Sequence, residues 1–205
     1  MDLALDIKDL HDQLDAAECD ARVLVADLGE ERGCWSARNG TWSVAECLDH
    51  LANANRVYLD AMKEPAAKAR EQGRFRQEPA VPGFVGRWFV RTMEPPVKAL
   101  FRTKAQRIIQ PCRAPALATA FASFSASHDE VRKFLCTYAD LDLAAVRFPN
   151  PFVRAVRFSL ATGLHVITAH ERRHLWQAWR VRRAAESSVA GLSRLKIAKA
   201  ELIRE

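Results

Sequence analysis

Trp42-Ser43-Val44-Ala45-Glu46-Cys47-Leu48-Asp49-His50-Leu51 marks the start of a helix by residue type alone. Ser43 followed three residues later by Glu46 is an S-x-x-E capping box, in which hydroxyl and carboxylate each satisfy a backbone N–H left over at a helix N-terminus. Trp42 stands before the cap and can pack on Cys47 as a hydrophobic staple. The stripe then runs through Val44, Leu48, Leu51, Asn55, Tyr58 and Met62 at the three- and four-residue steps of a helix. Pro65 is expected to bend or end it near Glu64.

Three more helices follow from the same spacing. Leu3, Ile7, Leu10, Leu14, Ala17, Ala21, Leu24 and Leu28 form one stripe upstream, closed by Gly29. Downstream, Pro115 suits a first helical turn, and Leu117, Phe121, Phe124, His128, Val131, Leu135 and Tyr138 make the next stripe. A last helix is expected from Ser159 to about Arg183, with Gly163, Ile167, His170, His174, Gln177 and Val181 on one face. Arg180, Arg182 and Arg183 then lie at its C-terminal end, where the dipole favours cations. A further short helix is expected from Ser187 to the end, with Val189, Leu192 and Leu195 apolar.

The fold class expected is all-α, a four-helix bundle. Residues 65–114 hold Pro65, Pro79, Pro82, Pro95, Pro96 and Pro111 with an aromatic group at Phe84, Trp88 and Phe89. That stretch is long enough to run the length of a bundle, so helices two and three can be parallel, in up-down-down-up order. One domain is expected over 1–205, with its core at about 2–183 and a C-terminal extension at 184–205.

Composition narrows the setting. The 205 residues are 49% hydrophobic and 27% charged, enough for one buried core under an ordinary surface. The acidic N-terminus does not resemble a secretory signal, and no apolar run reaches the roughly 20 residues of a membrane span. A cytoplasmic location without a membrane partner is the expectation. Cys19, Cys34, Cys47, Cys112 and Cys136 are odd in number and scattered, so they read as reduced thiols. The net charge of +6 lies largely in 70–113 and 172–183. It forms no dense stripe and no known reading motif, so no nucleic-acid partner is expected.

Chemistry enters with the histidines. His170 and His174 are four apart on one helix and can offer imidazole nitrogens to a single ion. By the helical rise, His50 lies about 10 Å from the start of helix two, and His174 about 14 Å from the end of helix four. In the up-down-down-up order those ends coincide, so the three rings reach similar heights. Three neutral imidazoles suit zinc, nickel, iron or copper better than magnesium or calcium, and they leave a coordination position open. His170-Glu171-Arg172-Arg173-His174 also satisfies the H-E-x-x-H pattern of zinc proteases. Two arginines in its middle, no downstream third ligand and no substrate-binding edge strand argue against that reading.

The stretch 42–51 resembles the helix-two signature of DinB/YfiT-like proteins. Ala169-His170-Glu171-Arg172-Arg173-His174-Leu175-Trp176-Gln177 resembles their H-x-x-R-H-x-x-Q signature in helix four, and Pro95-Pro96-Val97-Lys98 to Pro111 resembles their crossover. The resemblance spans about residues 5–183. It implies the up-down-down-up bundle and a divalent metal, zinc or nickel first and iron next, held by His50, His170 and His174. It further implies a small-molecule substrate such as a low-molecular-weight thiol, a homodimer, and a thiol S-transferase-like activity. The alternatives are a non-catalytic metal-binding or stress-related protein and a metal-dependent hydrolase.

Other residues near the site have two readings each. His128 is a fourth ligand or proton carrier, or a hydrogen-bonded core histidine, which is favoured. Cys47 is a thiolate near the ion or a packed staple partner, the latter favoured. Glu171 orients an imidazole or is solvated. Arg173 binds an anionic substrate group or is a surface charge, the latter favoured. Phe84, Trp88 and Phe89 form a lid or cap the end of the core. Trp176 and Trp179 are expected to pack on a helix or a second subunit. His11 and His165 have no evident partner.

Overall fold

The structure is a computed structural model that describes residues 4–38, 40–96, 106–153 and 155–202, with side chains as far as Ser188. Leu3, Val97-Lys98 and the apolar side chains expected beyond Ser188 lie outside the described residues.

Helix α1 (Leu5–Val25) buries Ile7, Leu10, Leu14, Ala17, Ala21 and Leu24, the stripe set by its spacing. It ends earlier than Gly29. Asp27 takes the left-handed turn at φ 56°, and Gly29, at φ 70°, opens the one-turn helix α2 (Glu30–Gly33). Leu28 remains fully buried in the link. The carbonyls at this helix end are met from a distance. Arg182 Nη1 donates to the carbonyls of Val23, Leu24 and Ala26 at 3.1, 2.8 and 2.9 Å. Arg182 thus serves the C-terminus of α1 and not that of its own helix, as its place in the sequence suggested.

Helix α3 (Val44–Glu71) opens on the capping box. Ser43 Oγ accepts from the Glu46 N–H at 3.1 Å, and Glu46 Oε2 accepts from the Ser43 N–H at 2.8 Å. Pro65 does not end this helix, which continues to Glu71. One missing N–H is outweighed by packing on either side of it, where Met62, Ala66 and Ala69 are all buried.

The long connection contains a helix of its own, α4 (Phe84–Met93), and then a 3₁₀ turn, Arg107–Ile109. Phe89 packs its ring on Phe158 at 5.0 Å, whereas Phe84 and Trp88 are exposed. Phe89 therefore helps cap the core, and the aromatic trio does not close as one lid. Helix α5 (Leu117–Tyr138) follows. Two short antiparallel strands, β1 (Arg147–Pro149) and β2 (Arg157–Ser159), form a hairpin that bury Phe148 and Phe158 on one face. Three-residue strands leave too little alternation to be read in advance from the sequence. Helix α6 (Leu160–Leu202) is continuous. The break expected between Arg183 and Ser187 is absent because Ala184-Ala185-Glu186 favours helix and no Pro or Gly lies within that stretch.

Side-chain bonds fix the helix directions. Asn55 meets Ser127 and Arg70 meets Asp140, so α3 and α5 run parallel. His50 meets His170 near the start of α3, and Met62 lies at Gly163 further along, so α3 and α6 are antiparallel. Gln13 meets Arg172 and Asp20 meets Trp179, so α1 and α6 are parallel. The apolar core divides into two clusters. One gathers Leu14, Met62, Leu135, Phe148 and Ile167, and the other Leu24, Leu48, Phe124 and Leu175. By their positions along α3, α5 and α6, the buried Asn55, Ser127, His128 and Glu171 separate the two.

Gly163 sets how closely α6 can approach. A Cβ there would stand 2.6 Å from Met62 Sδ and 2.8 Å from Phe148 Cζ. Gly163→Ala is expected to destabilise the protein by about 1–3 kcal/mol through overpacking, despite alanine's better helix propensity. Urea denaturation of the two proteins measures this, and a stabilised variant would show that the two helices stand further apart.

Candidate metal centre

Two helices supply the site. His50 follows the capped first turn of α3, and His170 and His174 lie one turn apart on α6. Because α3 and α6 are antiparallel, the two segments meet. One ligand-capable atom from each ring lies within 4.8 Å of the other two. His50 Nε2 is 3.3 Å from His170 Nε2. The ring centroids stand 5.0 Å apart for His50 and His170, 4.5 Å for His50 and His174, and 4.6 Å for His170 and His174. His50 and His174 are buried, and His170 is partly open.

The ring of His50 is fixed by a backbone group. Its Nδ1 lies 2.5 Å from the carbonyl oxygen of Ile109. A carbonyl only accepts, so Nδ1 carries the proton and Nε2 presents its lone pair toward His170. Asp49 holds the chain there, since its Oδ2 accepts from the Cys112 N–H at 2.7 Å. Asn53 Nδ2 donates to the Gln110 carbonyl at 3.3 Å. The Trp42 ring forms a wall, with its centroid 4.5 Å from that of His50 and 5.6 Å from that of His174.

All three imidazoles are held below the ordinary histidine pKa. For each, burial is the largest cause. At His170 the His50 ring comes next, and at His174 the rings of His170 and His50. Arg173 adds a positive field at all three. The Ile109 carbonyl and Asp49 at His50, and Gln177 at His174, offset this only in part. The rings are therefore neutral at pH 7, the state in which imidazole can donate to a metal. His174 Nδ1 is buried with no hydrogen-bond partner among the described residues. An all-imidazole donor set with one nitrogen left over fits a borderline divalent ion.

The other expected residues separate from this group. His128 is fully buried, and its Nδ1 lies 3.1 Å from Glu171 Oε1, which also accepts from Asn55 Nδ2 at 2.9 Å. It is the core histidine of the favoured reading. Glu171 is neither solvated nor bonded to one of the three clustered imidazoles; it faces Asn55 and His128. Its side chain is thus engaged in the core, unlike the general base of an H-E-x-x-H protease. Cys47 is fully buried in the apolar cluster, which pushes its thiol pKa up and leaves it inert. Arg173 is half-buried, with Nη1 3.7 Å from Met93 Sδ, and so is more than a surface charge. Trp179 Nε1 donates to Asp20 at 2.8 Å, and Trp176 lies under the Arg180 guanidinium. His165 Nε2 lies 3.3 Å from the Ala80 carbonyl, and His11 Nε2 3.6 Å from Cys136 Sγ. Ile109, Asp49 and the wall role of Trp42 were not foreseen. The S-x-x-E start made Trp42 visible only as a staple, and no side-chain pattern marks a backbone carbonyl.

The model of the DinB superfamily matches residues 13–178. The chain belongs to the DinB superfamily. No curated protein and no solved structure matches it. In this DinB protein the matched region contains all three clustered histidines, the capping box and the buried layer. No helix among the described residues is long and apolar enough to cross a membrane.

The depressed pKa values fix a pH response. Below the ordinary value of 6.5, an unfolded histidine takes a proton that the folded one refuses. The metal-free protein therefore loses stability as the pH falls through 6.5 toward the folded-state values, and gains nothing above it. Urea midpoints should fall between pH 7.5 and 5.5, with a flatter slope in His170→Gln. Equal midpoints at the two pH values would mean that the rings are not held neutral.

Proposed function

We propose that this DinB protein is a metal-dependent enzyme that holds one divalent ion with His50, His170 and His174. Zinc or nickel fits the donor set first, and iron next. The reading includes an up-down-down-up four-helix bundle of α1, α3, α5 and α6. The parallel α3–α5 and α1–α6 pairs support that order. One observation carries the metal assignment: three neutral imidazoles from two helices present ligand atoms within 4.8 Å of one another. Three protein ligands leave a position for a small molecule, as reactive sites do and closed structural sites do not. His170, the partly open member, lies on the accessible side.

The reaction proposed is activation of a low-molecular-weight thiol for transfer to a small electrophile, with hydrolysis as the alternative. A divalent ion held there would supply Lewis acidity, which lowers the pKa of a thiol or a water. The chain's own residues bind and orient. Ile109 and Asp49 fix the His50 ring, Trp42 excludes water from one side, and Arg173 provides positive charge that favours an anionic ligand.

Metal analysis of the purified protein should find one divalent ion per chain. His50→Ala and His174→Ala, checked for helicity by circular dichroism, should each bind at least about tenfold more weakly. One ion per chain in both variants would show the assignment to be wrong. With metal loaded, a panel of small thiols should raise the melting temperature. A metal-loaded protein that responds to no thiol and turns over no ester or amide would instead be a non-catalytic binder.

A further inference from the structure

At the far end of α3, the helix terminus and the β1–β2 hairpin enclose a groove of about 340 Å³. Four cations, Lys68, Arg74, Arg147 and Arg157, line it with a single carboxylate, Glu64. Lys68 stands 18 residues after His50 in the same helix, roughly 27 Å away at the helical rise, so this is not the histidine site.

Each cation is placed by a local feature. Lys68 lies on the helical turn that continues beyond Pro65. Arg74 follows Gly73, whose φ of 64° turns the chain out of the helix. Arg147 and Arg157 point outward from the hairpin that buries Phe148 and Phe158 on its other face. The register pairs Arg147 with Ser159 and Pro149 with Arg157, which makes the two arginines diagonal neighbours on one face. Arg157 Nη2 donates to the Arg147 carbonyl at 3.4 Å.

Among the described residues, no carboxylate oxygen lies within 4.0 Å of any of the four cations. Like charges gathered in a concave site repel one another and focus a positive potential into it. A monocarboxylate would leave most of that charge uncompensated. A phosphoryl group brings close to two negative charges and three acceptor oxygens, and guanidinium forks grip it bidentately.

We propose that this groove is a binding site for a phosphoryl-bearing anion, gripped by Arg147 and Arg157, with Lys68 and Arg74 adding charge. The site is independent of the metal reading.

The test is titration of inorganic pyrophosphate, without divalent metal, into ¹⁵N-labelled protein followed by NMR. Saturable shifts should be confined to residues 64–74 and 146–157. The double variant Arg147→Ser/Arg157→Ser, both outward-facing, should bind at least about tenfold more weakly, and Glu64→Gln should bind more tightly. If the double variant does not fold, Glu64→Gln decides: tightening supports the site and unchanged affinity overturns it. Absence of saturable shifts, shifts centred on the three histidines, or equal competition by chloride at matched ionic strength would also overturn it. Sedimentation with vesicles bearing phosphoinositide headgroups identifies the source. Wild-type binding lost in the double variant assigns a lipid headgroup, and pyrophosphate binding without vesicle binding assigns a soluble phosphate ester.

Discussion

Three imidazoles from two helices can share so small a buried space only while none of them carries an extra proton. That constraint shapes the surroundings. Burial suppresses charge on each ring, repulsion from the neighbouring imidazoles adds to it at His170 and His174, and Arg173 reinforces this at all three from a half-buried position. The hydrogen bond from His50 to the Ile109 carbonyl then selects the tautomer whose free lone pair faces the cluster. The crossover is thus part of the site as well as a connection between helices. It brings a carbonyl to α3, and Asp49 holds it there through the Cys112 N–H.

A second polar group lies deeper. Asn55, Ser127, His128 and Glu171 meet with no exposure, each bonded to at least one other member. Polar side chains are expensive to bury, and mismatched registers would strand them without partners. Their pairings tie α3, α5 and α6 to one relative height. Since Glu171 adjoins His170 in sequence, the same pairings hold the imidazole-bearing segment of α6 opposite that of α3.

Much of this was legible in advance because it depends on period and chemistry. The capping box, the stripe of α1 from Ile7 to Leu24, the stripes of α3 and α5, and the HxxxH pair are local patterns, and each occupies its expected place. The antiparallel approach of His50 to His170 followed from helical rise and the length of the crossover. What escaped reading depends on tertiary context. Pro65 is a strong breaker in isolation, yet the core on both sides carries the helix through it. Helix α4 and the hairpin are too short or too irregular for periodicity to resolve. Glu171 read as exposed or orienting because one sequence does not reveal that His128 and Asn55 face it from two other helices. The Ile109 carbonyl has no side-chain signature at all.

Arg182 lies four residues past the end of the family match and closes the exposed carbonyls of α1 with three hydrogen bonds. The margin of shared ancestry and the margin of physical self-sufficiency therefore differ in this chain. A fragment cut where the family likeness stops would lose the clasp on its opening helix, although every histidine of the cluster would still be aboard.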